Sequence, residues 1–543
     1  MAVPAPSDPD ATARRAALGL ILLATLIRLG GLLATPLELY PDEAQYWVWS
    51  RHLAFGYFSK PPMVAWMIAL TTRLGGDSEP YVRASAVFLN GGSAIALFFL
   101  GRKLYGAWTG ALASTLFVLM PGVAISSLII STDAPLMFFA SLALLAYVRL
   151  QTMSGTRGKI LTAAGLGLAL GLAMLSKYAA LYLVAGLALH LVVDRDARRV
   201  WRWPAAVAAL VAFALPVAPN LAWNAAHHFQ TLAHTAANAN LTHGKLFSFA
   251  ELGQFLGAQF GVFGPVPLLV LIAGLVIAVR ARTLEAADKL LVCAMAPALV
   301  VVTLLAFLSR ANANWAALAY VPGVVVVAAW LMRWREGTGR PALVAKGALI
   351  AALVIQVALA GLVVAGTLSP RLADKAGASG SLKRMRGWRQ SAEAVVNRAM
   401  IEQAVRGLSA VAVDDRLLFN SLRYYGRDYF DRPDAAPLRK WSSAGGPVIS
   451  QAEAEAGLSP AEGSRVLVVS MVEAKRPIIA ADFTKTSDTQ IQRVFLDRDH
   501  VRRLDMFIGE GFRTPKAAQP AAAIPERPGS PSHSAHPGEG RDP

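Results

Sequence analysis

Between residues 16 and 368 the chain returns repeatedly to apolar stretches close to the roughly 20 residues that cross a bilayer. About eleven can be drawn, at 16–35, 80–100, 106–124, 133–149, 160–176, 178–193, 204–223, 256–279, 289–308, 315–332 and 346–368. Lipid offers no hydrogen bonds, so such a chain must satisfy its backbone internally, and helices do that segment by segment. Only 16% of the 543 residues are charged, against roughly 25% in soluble proteins. The expected fold is an all-α polytopic membrane domain over 16–369, with about 11 transmembrane helices. The stretch 61–74 is too short to span and is expected at the interface. Arg14 and Arg15 precede the first stretch, which lacks a small-residue cleavage site. It is therefore read as an uncleaved span, with residues 1–15 in the cytoplasm.

The net charge of +17 does not point to nucleic acid, since no nucleic-acid motif accompanies it. The basic residues sit in alternate loops: Arg102/Lys103, Arg149/Arg157/Lys159, Arg195–Arg202, Arg280–Lys289 and Arg333–Lys346. That alternation is what positive-inside insertion produces. It leaves the 36–79 loop, the 125–133 turn, Lys177, the 224–250 loop and Arg310–Trp315 on the outer face. The single cysteine, Cys293, excludes a disulfide framework and a cysteine-based metal site.

After residue 369 the character changes. WRQSAEAVVNRAMIEQAVRGL has helical spacing, AVAVDD and RVLVVSMV suit buried strands, and LLFNSLRYYGRDY between them reads as a helix. Residues 370–513 are expected to form a small α/β domain on the outer face. Residues 514–543, rich in Pro, Ala, Gly and Ser, are expected to be disordered.

Chemistry-bearing residues concentrate on the outer side. Asp42 and Glu43 follow the first span in YPDEAQYWVWS. A positioned carboxylate can take a proton from an attacking hydroxyl, and the same residues also suit a helix start. Asp133, in STDAPLMFF, fits either a helix cap or a substrate-binding carboxylate. Lys60 and Lys177 can meet a phosphate or reach toward headgroups. Arg28, inside the first span, is expected to snorkel, and Arg310 can hold a phosphate or mark a span end. His227, His228, His234 and His243 match no zinc spacing, but His227 and His228 are candidates for substrate contact. Trp47, Trp49, Tyr57, Phe58 and Trp66 suit an interfacial belt or stacking on sugars and isoprenoid chains.

Taken in order, YPDEAQYWVWS, GYFSKPPM, STDAPLMFF, LSKYAALYLV and NANWAALAYVP resemble segments of the membrane-integral C-type glycosyltransferases. The resemblance is to the bacterial branch related to protein mannosyltransferases, lipid A aminoarabinose transferases and rhizobial lipopolysaccharide galacturonic acid transferases. It covers roughly residues 15–370. It implies a polyprenyl-phosphate-linked sugar donor and catalysis on the periplasmic face of the bacterial inner membrane. The acceptor it implies is a glycan or lipid, with a protein hydroxyl as a lesser option. By resemblance Asp42 is the base or acceptor-positioning group, with Glu43 beside it, and Lys60 contacts the donor phosphate. Asp133 is the acidic residue before the later span. Tyr57, Lys177, His227, His228, Arg310 and Asn314 complete the expected substrate-binding set. Aminoarabinose transferases carry a metal-holding glutamate where this chain has Ser59, so neither a bound metal nor that sugar follows. No cofactor is expected. The expected reaction is an inverting transfer. The alternatives are a transporter or flippase of a lipid-linked sugar, for which internal repeats are missing, and a non-catalytic membrane subunit.

Overall fold

The computed structural model describes residues 9–238, 247–282, 284–377, 379–443 and 448–513. His243 and the tail 514–543 lie outside them. The chain divides into two units. One comprises residues up to Pro36 together with His52–Ser369, and the other joins Leu37–Arg51 to the chain from Pro370 onward. This departs from the expected boundary, because Asp42 and Glu43 group with the C-terminal residues.

In the first unit eight described helices are long and apolar enough to cross a membrane: Pro9–Ala34, Glu79–Tyr105, Asp133–Thr152, Thr156–Ser176, Trp203–Ala226, Ala286–Leu308, Ala313–Arg335 and Gly339–Leu368. A ninth is reached if Phe249–Val262 and Pro265–Ala281, bent by 114° at Gly264, count as one span. The expected spans at 106–124 and 178–193 are helical but short, as Ala107–Leu119 and Ala180–Val193. The former stops where Pro121 withdraws a backbone donor. Met63–Gly75 is short, as expected. Small residues bring helices close: a Cβ on Gly167 would lie 1.9 Å from the Ala209 carbonyl oxygen.

Arg28 does not snorkel. It is buried, and its guanidinium donates to the carbonyl of Val118. That carbonyl lies in the last turn before the break at Met120, where helical partners run out.

Polar contacts gather at two ends of this helical unit. At one, Arg102 pairs with Asp10 at 2.6 Å and Lys289 with Asp194 at 3.2 Å. There the buried Asp288 accepts from the Tyr105 hydroxyl (2.7 Å), the Trp330 indole (2.8 Å) and Arg333 (2.9 Å). These are the segments that the charge alternation assigns to one side. Within the same unit, segments assigned to the other side, 52–60, Asp133, Lys177, 220–231 and Asn314, meet one another away from these ion pairs.

The second unit is built on a six-stranded sheet. Its strands are β1 (Ala410–Val413), β2 (Leu438–Lys440), β3 (Arg465–Ser470), β4 (Phe483–Thr486), β5 (Gln490–Phe495) and β6 (Val501–Phe512). The order is β2-β1-β3-β6-β4, with β5 also pairing with β6. β1 runs parallel to β2 and β3, while β6 is antiparallel to β3, β4 and β5. Side chains alternate across the sheet. Val411, Val413, Leu467 and Val469 pack with Trp388, Val395, Leu418 and Leu422 from helices Trp388–Arg406 and Arg416–Tyr425. Ala410, Ala412, Val466 and Val468 pack with Phe483 and Phe507 on the other face. Burial on both faces is why these strands read as continuous apolar runs.

Leu37–Arg51 is bound into this unit through backbone groups. The Glu38 carboxylate accepts from the Trp388 and Arg389 N–H groups, and burial pushes its pKa up. The Leu39 N–H donates to the Tyr425 hydroxyl at 2.7 Å, and Trp47 meets Tyr424 edge-on at 4.9 Å.

Candidate active site

Asp133 opens the Asp133–Thr152 helix, where the helix dipole favours a carboxylate. Thr132 makes no side-chain capping bond, and the Asp133 carboxylate is turned to other partners. Lys177, in the extended residue that ends Thr156–Ser176, donates to Asp133 Oδ1 at 2.7 Å. Asn314, in the short turn of helix Ala313–Ala319, donates to Asp133 Oδ2 at 2.8 Å. Three residues expected on one face therefore come together from three separate segments. The carboxylate is almost buried, and the lysine side chain keeps 20% of its surface exposed. Each carboxylate oxygen retains accepting capacity for a further donor.

Lys60 ends the irregular 52–60 loop and is half-buried. A loop of this kind leaves its own carbonyls without ladder partners. Asn220 donates to the Phe55 carbonyl at 2.6 Å and Thr231 to the Tyr57 carbonyl at 2.7 Å. Gly56 is obligatory by contact, since a Cβ there would lie 2.3 Å from the Trp223 ring. Tyr57 itself is buried. Its hydroxyl donates to the His52 carbonyl and accepts from the Ala54 N–H, so it braces the loop rather than presenting a surface to substrate.

His227 caps Trp203–Ala226, stacks on Trp223 with ring centroids 3.9 Å apart, and contacts the Trp223 carbonyl through Nδ1 at 2.8 Å. His228 is exposed, in a left-handed conformation (φ 52°). Arg310 is exposed just beyond Ala286–Leu308. Among the described residues no three His, Cys, Asp or Glu side chains gather as metal ligands would.

Asp42 and Glu43 lie in the first turn of Pro41–Ser50, in the second unit. Glu43 is fully buried and accepts from the Tyr40 N–H at 2.8 Å, which makes it a capping carboxylate. Asp42 is 3.5 Å from Arg416, whose guanidinium also donates to Gln45 at 3.1 Å. Trp47 and Trp49 are buried in this unit and form no interfacial belt. Sequence reading did not single out Arg416, Tyr178, Asn220, Asn224 or Thr231. The two asparagines carried a usable signal: polar side chains spaced four apart in an apolar span.

A bundle of apolar helices in which a carboxylate, a lysine and an amide converge, in one chain with a small α/β unit, is the architecture of a multi-pass membrane protein with a polar cluster among its helix ends. Residues 59–223 match the family described as dolichyl-phosphate-mannose-protein mannosyltransferase. Over 341 residues the chain is 37% identical to lipid A galacturonosyltransferase RgtD of Rhizobium johnstonii, spanning 60% of this chain and 67% of that protein. Over 177 residues it is 30% identical to the undecaprenyl phosphate-alpha-4-amino-4-deoxy-L-arabinose arabinosyl transferase 1 of Pseudomonas fluorescens, covering 30% and 32% of the two chains. The crystal structure of ArnT from Cupriavidus metallidurans bound to undecaprenyl phosphate superposes with a TM-score of 0.58. It shares 15% identity and covers 90% of this chain and 97% of that one, a likeness of fold. The chain belongs to the membrane-integral C-type glycosyltransferases, the family of that galacturonosyltransferase.

Proposed function

We propose that this protein transfers a sugar from a polyprenyl-phosphate donor to a hydroxyl of lipid A or the lipopolysaccharide core, on the periplasmic face of a bacterial inner membrane. The carrying observation is the convergence of Asp133, Lys177 and Asn314 at the end of the helical unit opposite its arginine-rich end. Positive-inside insertion makes the arginine-rich end cytoplasmic. The relatives' names supply the substrate classes. The longer match, to a galacturonosyltransferase, makes galacturonic acid the donor sugar to test first.

In the proposed chemistry an acceptor hydroxyl oxygen attacks the anomeric carbon from the face opposite the phosphate. The bond from that carbon to the phosphate oxygen breaks, and polyprenyl phosphate leaves with the electron pair. Asp42 receives or orients the hydroxyl proton. Glu43 holds the turn that presents Asp42. Lys60, with Arg310, meets the charge growing on the phosphate. Lys177 is already paired with Asp133, so its part is to hold that carboxylate, which accepts from a hydroxyl of the bound sugar. His227 and His228 are assigned as further contacts to the donor. Family membership favours transfer over transport.

The test is direct. Full-length protein in detergent, given polyprenyl-phosphate galacturonic acid and lipid A, is expected to yield lipid A heavier by one hexuronic acid residue. Absence of any covalent product, with every lipid-linked sugar and acceptor offered, would refute the proposal.

A further inference from the structure

The residues that hold the Lys60 loop and the residue next to Lys177 are linked by a short run of hydrogen bonds. The Tyr178 hydroxyl donates to Asn220 Oδ1 at 3.0 Å. Asn220 spends its amide on the Phe55 carbonyl at 2.6 Å. Asn224, one turn further along the same helix, donates to the Tyr178 hydroxyl at 3.1 Å and to the Asn220 carbonyl at 3.0 Å. Asn220, Asn224 and Thr231 are all buried. Tyr178 directly follows Lys177, whose ammonium fixes Asp133. One continuous path therefore runs from the loop that ends in Lys60, through Asn220 and Tyr178, to the backbone that carries Lys177.

We propose that Tyr178 and Asn220 are positioning residues: they set the separation between the Lys60 loop and the Asp133–Lys177 pair, and so the distance between the donor phosphate and the sugar it carries. The physical case rests on the loop. Residues 52–60 have no helix or strand of their own, so their placement depends on what their carbonyls meet. Two of those carbonyls, of Phe55 and Tyr57, are met by side chains from the 220–231 segment. The Asn220 amide is also oriented. Its oxygen is occupied by Tyr178, which turns its NH2 group toward Phe55. A tyrosine hydroxyl that accepts from Asn224 while donating to Asn220 has its proton direction set, so the three groups align one another. Such a pair touches no reacting atom. It acts through where it leaves Lys60.

This inference rests on the proposed transfer reaction, and the experiment separates the two. The substitutions Tyr178→Phe and Asn220→Leu are made in the full-length protein, alone and combined with Lys60→Ala. Tyr178→Phe is expected to raise the donor KM about tenfold and leave the acceptor KM unchanged, since misplacement by about an ångström is enough for a loss of that order or larger. In the Lys60→Ala background the further cost of Tyr178→Phe is expected to vanish, because the group being positioned is gone. Hydrogen exchange of the 52–60 amides is expected to quicken in Tyr178→Phe and Asn220→Leu while the Asp133–Thr152 helix stays protected. An unchanged donor KM in Tyr178→Phe overturns the inference. So does a cost that remains fully additive with Lys60→Ala, which would mark a general structural role. If Asn220→Leu fails to accumulate, the Tyr178→Phe measurements decide alone. A wild-type protein that transfers no sugar refutes the underlying reaction instead, and the exchange measurement then reads the relay by itself: unchanged loop exchange overturns it and faster exchange sustains it.

Discussion

Asp133 and Asp414 are both buried carboxylates with a lysine partner, and they are built differently. Asp133, in the helical unit, meets Lys177 and Asn314, and the lysine keeps part of its surface open. Asp414, in the second unit, lies at the carboxyl end of β1, fully enclosed. It accepts from the Ser470 hydroxyl at 3.0 Å and sits 3.3 Å from Lys475. Beside it the buried Lys440, at the end of β2, donates to the Asp414 and Trp441 carbonyls at 3.0 and 2.7 Å and lies 3.3 Å from Glu453. The second cluster ties the ends of three neighbouring strands. The first draws together segments that the bundle would otherwise leave apart. Similar charged groups thus serve as a clamp in one place and gather loop ends in the other. What distinguishes them is the carboxylate, wholly enclosed in Asp414 and slightly open in Asp133, and not the lysine, since Lys475 is more exposed than Lys177.

The two clusters are expected to fail in different assays. Asp133→Ala is expected to lower sugar transfer about a hundredfold or more, through loss of a substrate-orienting carboxylate. The variant should remain folded and membrane-inserted, as read by exchange protection of the Asp133–Thr152 helix. Transfer at the wild-type rate would make Asp133 a mere helix-start residue.

Lys440→Met should do the reverse. It removes the donor to two carbonyls and strands Glu453 in a buried site, at a cost of roughly 2–3 kcal/mol to the second unit. Faster exchange of the β1 and β3 amides would register this, with the helical unit unaffected. Protection equal to wild type would show that the cluster does not hold the strand ends.

A finer test lies within the Asp133 group. Asn314→Leu removes one hydrogen bond to a charged acceptor, a change of about 1.5 kcal/mol. The expected reading is about a tenfold rise in donor KM with Lys177 still in place. Equal effects of Asn314→Leu and Asp133→Ala would mean the three residues act as one unit rather than as a carboxylate with two supports.

Sequence made one half of this comparison legible and hid the other. The apolar runs and the alternation of arginine-rich loops assign Asp133, Lys177 and Asn314 to one end, because a membrane leaves few topologies open. The strands AVAV and RVLVVS were equally readable, being buried on both faces. What could not be read was pairing over long separations. The segment carrying Asp42 was counted with the membrane domain, yet its Glu38, Leu39 and Trp47 are held by Trp388, Tyr425 and Tyr424. No local pattern announces such partners. The strands β4 and β5 are hidden for a related reason: FTKT and QIQRVF expose polar side chains and carry no apolar run. Tyr57 and Trp47 are buried, which no local pattern announces, because an aromatic residue looks the same in sequence whether it faces a sugar or fills a core.

The smallest effect concerns the enclosed carboxylate alone. Burial pushes the Asp414 pKa up, and neighbouring Asp415 adds to this, against the opposing pull of Lys475 and Ser470. A carboxyl raised on folding contributes stability that is fully present below its unfolded value, about 4, and is lost as pH rises through its folded value. Asp414→Asn keeps an acceptor for Ser470 but cannot ionise. Its second unit is therefore expected to lose less protection than wild type between about pH 4 and neutrality, by under about 1 kcal/mol. The difference is partial because burial raises Glu38 in the same direction and Asn at 414 leaves that slope intact. Exchange of the β1 and β3 amides at several pH values measures it. Superimposable profiles would mean that Asp414 ionises as freely as a surface carboxylate, and the contrast between an enclosed cluster and an open one would then have to rest on Lys440 alone.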